Sequence, residues 1–325
     1  MCCGVFGSPG VAVSLIVSGW VLCATSAPAN ARAIELRQIA ECLPTLPYSY
    51  CVVDEPALSP DGRCVALSFW ELWPPDYAKW PSVGKARVDG SCSGRIAVAV
   101  SARNWYQSPT WSPDGRYVAY VAAGYDAPAI GIWSMFVGDD TDPPASLVHV
   151  AAGEYRDPAW SLDADSIACV AAEGIFIVPS SGGTPILTIP GGSAPSWGPG
   201  RQIVFARDGD LWIHRSDGSE RRLTRTSEDE REPAWSPRGG WIAYSSNRSG
   251  DPDIWVIAIG GGTPVQVTSG PAWDSHPSWS WHGDRLAFLS TVNQDQTSVW
   301  VATNLPDWAV AVQHPTWSDV KRLFR

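Results

Sequence analysis

Apolar residues along this chain come in short runs of about four to six, bounded by Pro, Gly, Asp and Ser, and long stretches with helical spacing are absent. Runs of that length between turn residues predict β-strands joined by tight turns. The pattern is clearest from Pro233 onward. There "PAWS" predicts a strand, "PRGG" a hairpin turn, "WIAYSS" a second strand, "NRSGDPD" a loop, "IWVIAI" a third strand, "GGGT" a turn and "PVQVT" a fourth strand.

The same unit returns along the chain. "DEPALSPDGRCVALSF", "QSPTWSPDGRYVAYVA", "RDPAWSLDADSIACVA", "SAPSWGPGRQIVFA", "REPAWSPRGGWIAYSS" and "SHPSWSWHGDRLAFLS" align, and "QHPTWSDVKRLFR" is a truncated seventh copy. Their leading prolines, Pro56, Pro109, Pro158, Pro195, Pro233, Pro277 and Pro315, are 53, 49, 37, 38, 44 and 38 residues apart, the period of a four-stranded unit. Such a repeat predicts an all-β fold, a β-propeller whose blades bury their faces on one another. Two closures fit, and in both the amino- and carboxy-terminal strands close the ring. With seven blades, "PTWS" and "RLFR" share a composite blade with "RQIAECL" and "YSYCVV"; with six, "YSYCVV" completes the ring and the last segment is a tail. The repeated Trp111, Trp160, Trp197, Trp235, Trp279 and Trp317 are expected to fill the gaps between blades, and Trp133, Trp212, Trp255 and Trp300 recur on third strands.

Charge and the amino end narrow the setting. A net charge of -10, with no basic cluster beyond the final "KRLFR", excludes binding to a phosphate backbone, so nucleic acid is not a partner. Residues 1–33 hold no Asp, Glu or Lys, an apolar stretch from Gly10 to Ala24 and the small-x-small triplets Ala29-Asn30-Ala31 and Ala31-Arg32-Ala33. They are read as an export signal, with a misplaced start or an uncleaved anchor as the alternative because no Lys or Arg precedes the apolar stretch. Residues 34–53 follow as an amino-terminal segment and 54–325 as the propeller. The expectation is a periplasmic or secreted monomer without a transmembrane segment after cleavage. Cys42, Cys51, Cys64 and Cys92 leave three disulfide pairings open, whereas Cys169 occupies the strand position of Tyr120, Phe205, Tyr244 and Phe288 and is read as a buried small apolar residue.

The series "P-x-W-S-P-D-G-R-x-[VI]-A-[YF]" followed by "N-R-S-G-D-P-D-I-W" resembles the β-propeller repeats of the TolB family, from about Pro56 to Trp317. The resemblance implies a periplasmic propeller that faces lipoprotein and envelope partners. It stops short of TolB's α/β domain, since only Ile34 to Val53 stand in that place. Similar repeats also build the propeller ahead of the hydrolase domain in prolyl-oligopeptidase-type serine peptidases. The fold therefore leaves function open.

Blade connectivity places the loops before strand one and between strands two and three on one face. The residues before the repeated prolines, Glu55, Ser108, Asp157, Ala194, Glu232, His276 and His314, are expected to ring the channel mouth there, beside Asp54, Tyr106, Arg156, Arg231 and Asp274. The insertion "FWELWPPDYAKWPSVGK" joins that face, with Pro74, Pro75 and Pro81 expected to hold it as an extended loop. Trp70, Trp73, Tyr77 and Trp80 on it suit an interface anchor for a protein or peptide partner, and Glu55, Asp157, Glu232, His276 and His314 supply polar register. An ordinary solvated rim and a plug over the first blade are the alternatives. Trp105 and Trp273 are expected near the rim.

No G-x-S-x-G, H-E-x-x-H or P-loop occurs. "GSCSG" at Gly90 to Gly94 is read as a Gly/Ser turn, and "DPD" at Asp251 to Asp253 as a turn rather than a Ca²⁺ loop. His149 and His214 fall on strands with no evident acid partner. The reading is a non-catalytic binding platform needing no cofactor or metal. Its alternatives are the propeller part of a serine peptidase lacking its hydrolase domain and a metal-dependent hydrolase using the channel mouth.

Overall fold

The computed structural model describes residues 20–23, 34–41, 51–73, 78–89, 93–98, 104–124, 131–136, 147–293, 296–303 and 305. Strands β1 (Trp20–Cys23) and β2 (Ile34–Glu41) precede the repeats. Blade one is β3 (Cys51–Leu58), β4 (Cys64–Trp73), β5 (Ala78–Arg87) and β6 (Ser93–Val98). Blade two is β7 (Asn104–Trp111), β8 (Tyr117–Gly124), β9 (Gly131–Phe136) and β10 (Leu147–Ala152). Blade three is β11 (Arg156–Trp160), β12 (Ser166–Ala171), β13 (Gly174–Pro179) and β14 (Ile186–Pro190). Blade four is β15 (Ser193–Gly198), β16 (Gln202–Arg207), β17 (Asp210–His214) and β18 (Glu220–Arg222). Blade five is β19 (Glu230–Trp235), β20 (Trp241–Ser246), β21 (Asp253–Ala258) and β22 (Val265–Gln266). Blade six takes β23 (Trp273–Trp279), β24 (Leu286–Asn293) and β25 (Gln296–Thr303) from the far end of the sequence.

Six blades, not seven, make the ring, because the fourth strand of blade six is β2, antiparallel to β25 from Glu35↔Thr303 to Glu41↔Ser298. The closing strand is thus Ile34–Glu41. "YSYCVV" does not close the ring; its Cys51–Val53 starts the innermost strand of blade one. β1 adds a fifth strand outside β2. Closure is reinforced where blades six and one meet. Leu58 N–H donates to Ser278 Oγ at 2.9 Å, Trp281 N–H to the Pro60 carbonyl at 3.0 Å and Arg285 Nη1 to the Gly62 carbonyl at 2.8 Å.

Side-chain chemistry explains why each blade turns where it does. After strand one, Ser59 Oγ donates to Asp61 Oδ1 while accepting from Cys64 N, and Asp61 Oδ1 also accepts from Arg63 N. Ser112 with Asp114 and Ser161 with Asp163 repeat the arrangement, and in blade six Ser280 finds Asp284. Blade five has Arg238 where the acid would stand, and Ser236 Oγ is buried with no hydrogen-bond partner among the described residues. Asp114→Ala is expected to cost about 1 kcal/mol, the worth of one such bond, read as a lower denaturation midpoint.

The repeated tryptophans fill the gaps as expected. Trp111, Trp197 and Trp279 are buried, and their indole N–H groups donate to the carbonyls of Ala57, Ala159 and Ala234 on the first strands of the preceding blades, at 3.0, 3.1 and 3.1 Å. Trp197's acceptor, Ala159, lies on blade three, and Trp279's, Ala234, on blade five, so each indole staples its own blade to the one before. Trp317 lies outside the described residues. Cys169 is fully buried, and burial pushes its thiol up to about 12, as suits a small apolar core residue.

Candidate functional site

Each innermost strand carries a β-bulge at the same place. Pairing skips from Asp54 to Ala57, Gln107 to Thr110, Arg156 to Ala159, Ser193 to Ser196, Arg231 to Ala234 and Ser275 to Ser278. The first residue of each skipped pair is the one before the repeated proline: Glu55, Ser108, Asp157, Ala194, Glu232 and His276, with φ between 46° and 52°. That is the left-handed region, unfavourable for residues with a Cβ. These six account for most of the nine positive-φ non-glycine residues among the described ones. Strain gathered in a ring at one level of the channel marks that level as a candidate site.

All six residues line a central cavity of about 410 Å³. Carboxylates stand on alternate blades, one, three and five, as Glu55, Asp157 and Glu232. Two are tied to the ring itself. Glu55 Oε2 accepts from Ser108 N–H, and Glu232 Oε2 accepts from His276 N–H at 2.8 Å, each reaching to the next bulge along its own side of the ring. His276 Nε2 also lies 3.5 Å from Glu232 Oε1. Asp157, one methylene shorter, has Arg156 Nε at 3.9 Å. Burial raises the Asp157 carboxyl above its usual range; Arg156 and His276 pull it back and Glu232 pushes it further up. The opposite end of the cavity is apolar, with Pro60, Pro113, Leu162, Pro237 and Trp281.

The sequence-expected ring is therefore brought together for six of its seven members; His314 lies outside the described residues. The insertion differs from the expected extended loop. β4 and β5 continue into it as a hairpin, with Trp70 opposite Pro81, Glu71 opposite Trp80 and Trp73 opposite Ala78. Pro81 sits within that ladder, and Tyr77 lies outside the described residues. Arg156 and Arg231 are exposed at the rim, the latter paired with Asp229. Asp274 is not part of a solvated rim: it is 5% exposed. Trp273, by contrast, is 60% exposed at the start of β23, and Val292 is 63% exposed at the end of β24, on the mouth-bearing face.

Other sequence candidates resolve into structure. Asp253 is buried and accepts from Gln266 Nε2 at 2.9 Å, while Thr268 Oγ1, which takes the Ile254 N–H at 2.9 Å, lies 3.4 Å from its other oxygen. Asp210 and Thr224 repeat this at the start of β17. Sequence reading missed that Asp–Thr clasp, whose signal is an Asp two residues before the third-strand Trp212 and Trp255. His214 does have an acid neighbour, Glu220 Oε1 at 3.5 Å across the β17–β18 ladder, on the blade's outer edge. Gly90 to Cys92 of "GSCSG" lie outside the described residues. Among the described residues, no three of His, Cys, Asp and Glu gather closely enough to hold a metal ion, and no helix is long and apolar enough to cross a membrane.

Comparison with known proteins gives the same architecture. The family described as the tricorn protease N-terminal beta propeller domain matches residues 195–318. An uncharacterized protein of Agrobacterium fabrum is 29% identical over 203 residues, 57% of this chain and 66% of that protein. The Tol-Pal system protein TolB of Desulfosudis oleivorans is 36% identical over 63 residues, 18% of this chain and 14% of that protein. The chain thus spans at most about two thirds of these relatives. The crystal structure of TolB from Acinetobacter baumannii has a TM-score of 0.54 at 18% identity, covering 74% of this chain and 64% of that one, a likeness of fold. By its repeats, its blades and these likenesses, the chain is a six-bladed β-propeller similar to TolB-like propellers.

Proposed function

We propose that this propeller is an exported, non-catalytic platform that binds a protein partner in the cell envelope through the face bearing the channel mouth. One observation carries the reading. Three carboxylates on alternate blades converge, in strained backbone, on a mouth whose rim also presents the exposed Trp273 and Val292. Exposed apolar side chains beside fixed polar groups are what an interface anchor needs. Similarity to Tol-Pal system proteins supports an envelope setting. An export signal over residues 1–33 is compatible with the fold, because cleavage there leaves β2 to complete blade six.

The test is capture from envelope extract by residues 34–325, beside a Trp73→Ala/Trp80→Ala variant and a Trp273→Ala variant. A partner retained by the first and weakened at least tenfold by either variant supports the reading. Equal capture by all three moves the interface elsewhere, and no capture removes the platform. A second reading, the propeller of a peptidase, is favoured by the match to the tricorn propeller domain. Peptide hydrolysis that co-purifies with the captured complex would establish it.

A further inference from the structure

Blades five and six repeat in register from Pro233 to Pro277, so Glu230 corresponds to Asp274, Tyr244 to Phe288, Ser246 to Ser290 and Arg248 to Val292. Ladder pairing adds Trp255, opposite Tyr244, and Trp300, opposite Phe288. In blade five these residues enclose a guanidinium. Arg248 Nη2 bonds to the fully buried Glu230 at 2.7 Å, and its guanidinium carbon lies 5.0 Å from the centre of the Trp255 ring and 6.0 Å from that of Tyr244.

Blade six has every part of that cradle except the cation. Asp274 is nine-tenths buried, and its Oδ1 has no hydrogen-bond partner among the described residues. Phe288 is buried and Trp300 half-buried in the corresponding ladder positions. The nearby Asp253 adds negative charge, and burial leaves the Asp274 carboxyl raised to about 6. In sequence register the place of the arginine is taken by Val292, which is exposed on the same strand face as Ser290, the ladder partner of Asp274. A buried carboxylate without a counter-charge is costly, and a guanidinium supplied from outside removes that cost.

We propose that blade six holds a receptor for a partner protein's arginine, which Asp274 and the Phe288–Trp300 pair take up as Glu230, Tyr244 and Trp255 take up Arg248. Val292 moves aside to admit the entering side chain. The inference rests on the reading of this face as a partner surface and names the chemistry by which the partner is recognised.

The test uses the full chain and the peptide acetyl-Gly-Arg-Gly-amide, titrated at pH 7.5 by calorimetry and indole NMR shifts. Its citrulline and lysine counterparts are the controls. Expected results are binding of the arginine peptide at least tenfold tighter than either control, and its loss in Asp274→Asn and in Val292→Arg. Val292→Arg also serves as an internal check, because filling the cradle in cis should raise the melting temperature at pH 7.5 more than at pH 4.5. Equal binding of the citrulline peptide, or arginine binding that survives Val292→Arg, overturns the proposal. So does tighter peptide binding by an Arg322→Ala/Arg325→Ala variant, which would assign the site to the chain's own end. A partner captured through the mouth, with no arginine peptide bound, sinks this inference alone and leaves the platform reading standing.

Discussion

Gly198→Ala is expected to lower the unfolding free energy by about 3 kcal/mol, the upper part of the range for overpacking a filled interior. Position 198 follows the blade-four tryptophan, where the other blades carry the turn serine. Here the indole of Trp235 from blade five lies directly on the glycine. A Cβ would stand 2.6 Å from Trp235 Cε3 and closer still to Cδ2 and Cε2. Trp235 is buried, and its N–H donates to the Gly239 carbonyl of its own turn at 3.1 Å, so it cannot retreat without losing both packing and that bond. Backbone strain is not the cause, because φ before the short 3-10 turn Pro199–Arg201 is -117°. Gly240→Ala, with nothing within 4 Å, is the matched control and should stay within about 0.5 kcal/mol of the parent. Chemical denaturation of both variants measures the difference. A Gly198→Ala variant as stable as Gly240→Ala would show that the seam between blades four and five yields freely.

Asp274→Asn is expected to stabilise the protein, and by an amount that depends on pH. Burial in the seam between blades five and six raises this carboxyl from 3.8 to about 6, with Asp253 adding to the rise and the Ser290 and Thr268 hydroxyls opposing it. Between those values the folded chain binds more protons than the unfolded one. The Asp274 contribution therefore falls as pH rises from about 4 to 6, and its full cost is present above that window. A shift of roughly two units corresponds to about 3 kcal/mol, so Asp274→Asn should gain up to that much at pH 7.5 and little at pH 4. Denaturation of both proteins at the two pH values reads the effect. An equal difference at both would mean that the carboxyl is ionised throughout.

Much of this fold is written in local spacing, and that part was legible. The Ser–Asp turn and the gap-filling tryptophan act within a few residues of their own repeat, so the blades can be read one at a time. Blade number cannot, because it depends on β2 pairing with β25 across nearly the whole chain. The mouth residues were legible from their place before each proline, but their conformation was not. A residue before proline favours extended backbone, and the bulge holds Glu55 and its five equivalents in the left-handed region against that preference. The hairpin of β4 and β5 was read as a loop because its prolines weigh against a strand, yet Pro81 sits opposite Trp70 within the ladder. Asp274 was read as part of a polar rim. Its burial had a signal in the sequence, the change from Arg248 to Val292 between copies in register, which only comparison of the two blades exposes.

The measurement that bears most directly on the platform is photo-crosslinking in the source cell, with a photoreactive residue placed once at Trp273 on the mouth-bearing face and once at Ile186. Both side chains are exposed, at 60% and 68%, but Ile186 starts the outer strand of blade three at the opposite end. The platform reading expects a discrete protein adduct from position 273 and none from 186. Adducts from 186 alone, or from neither position, would contradict it.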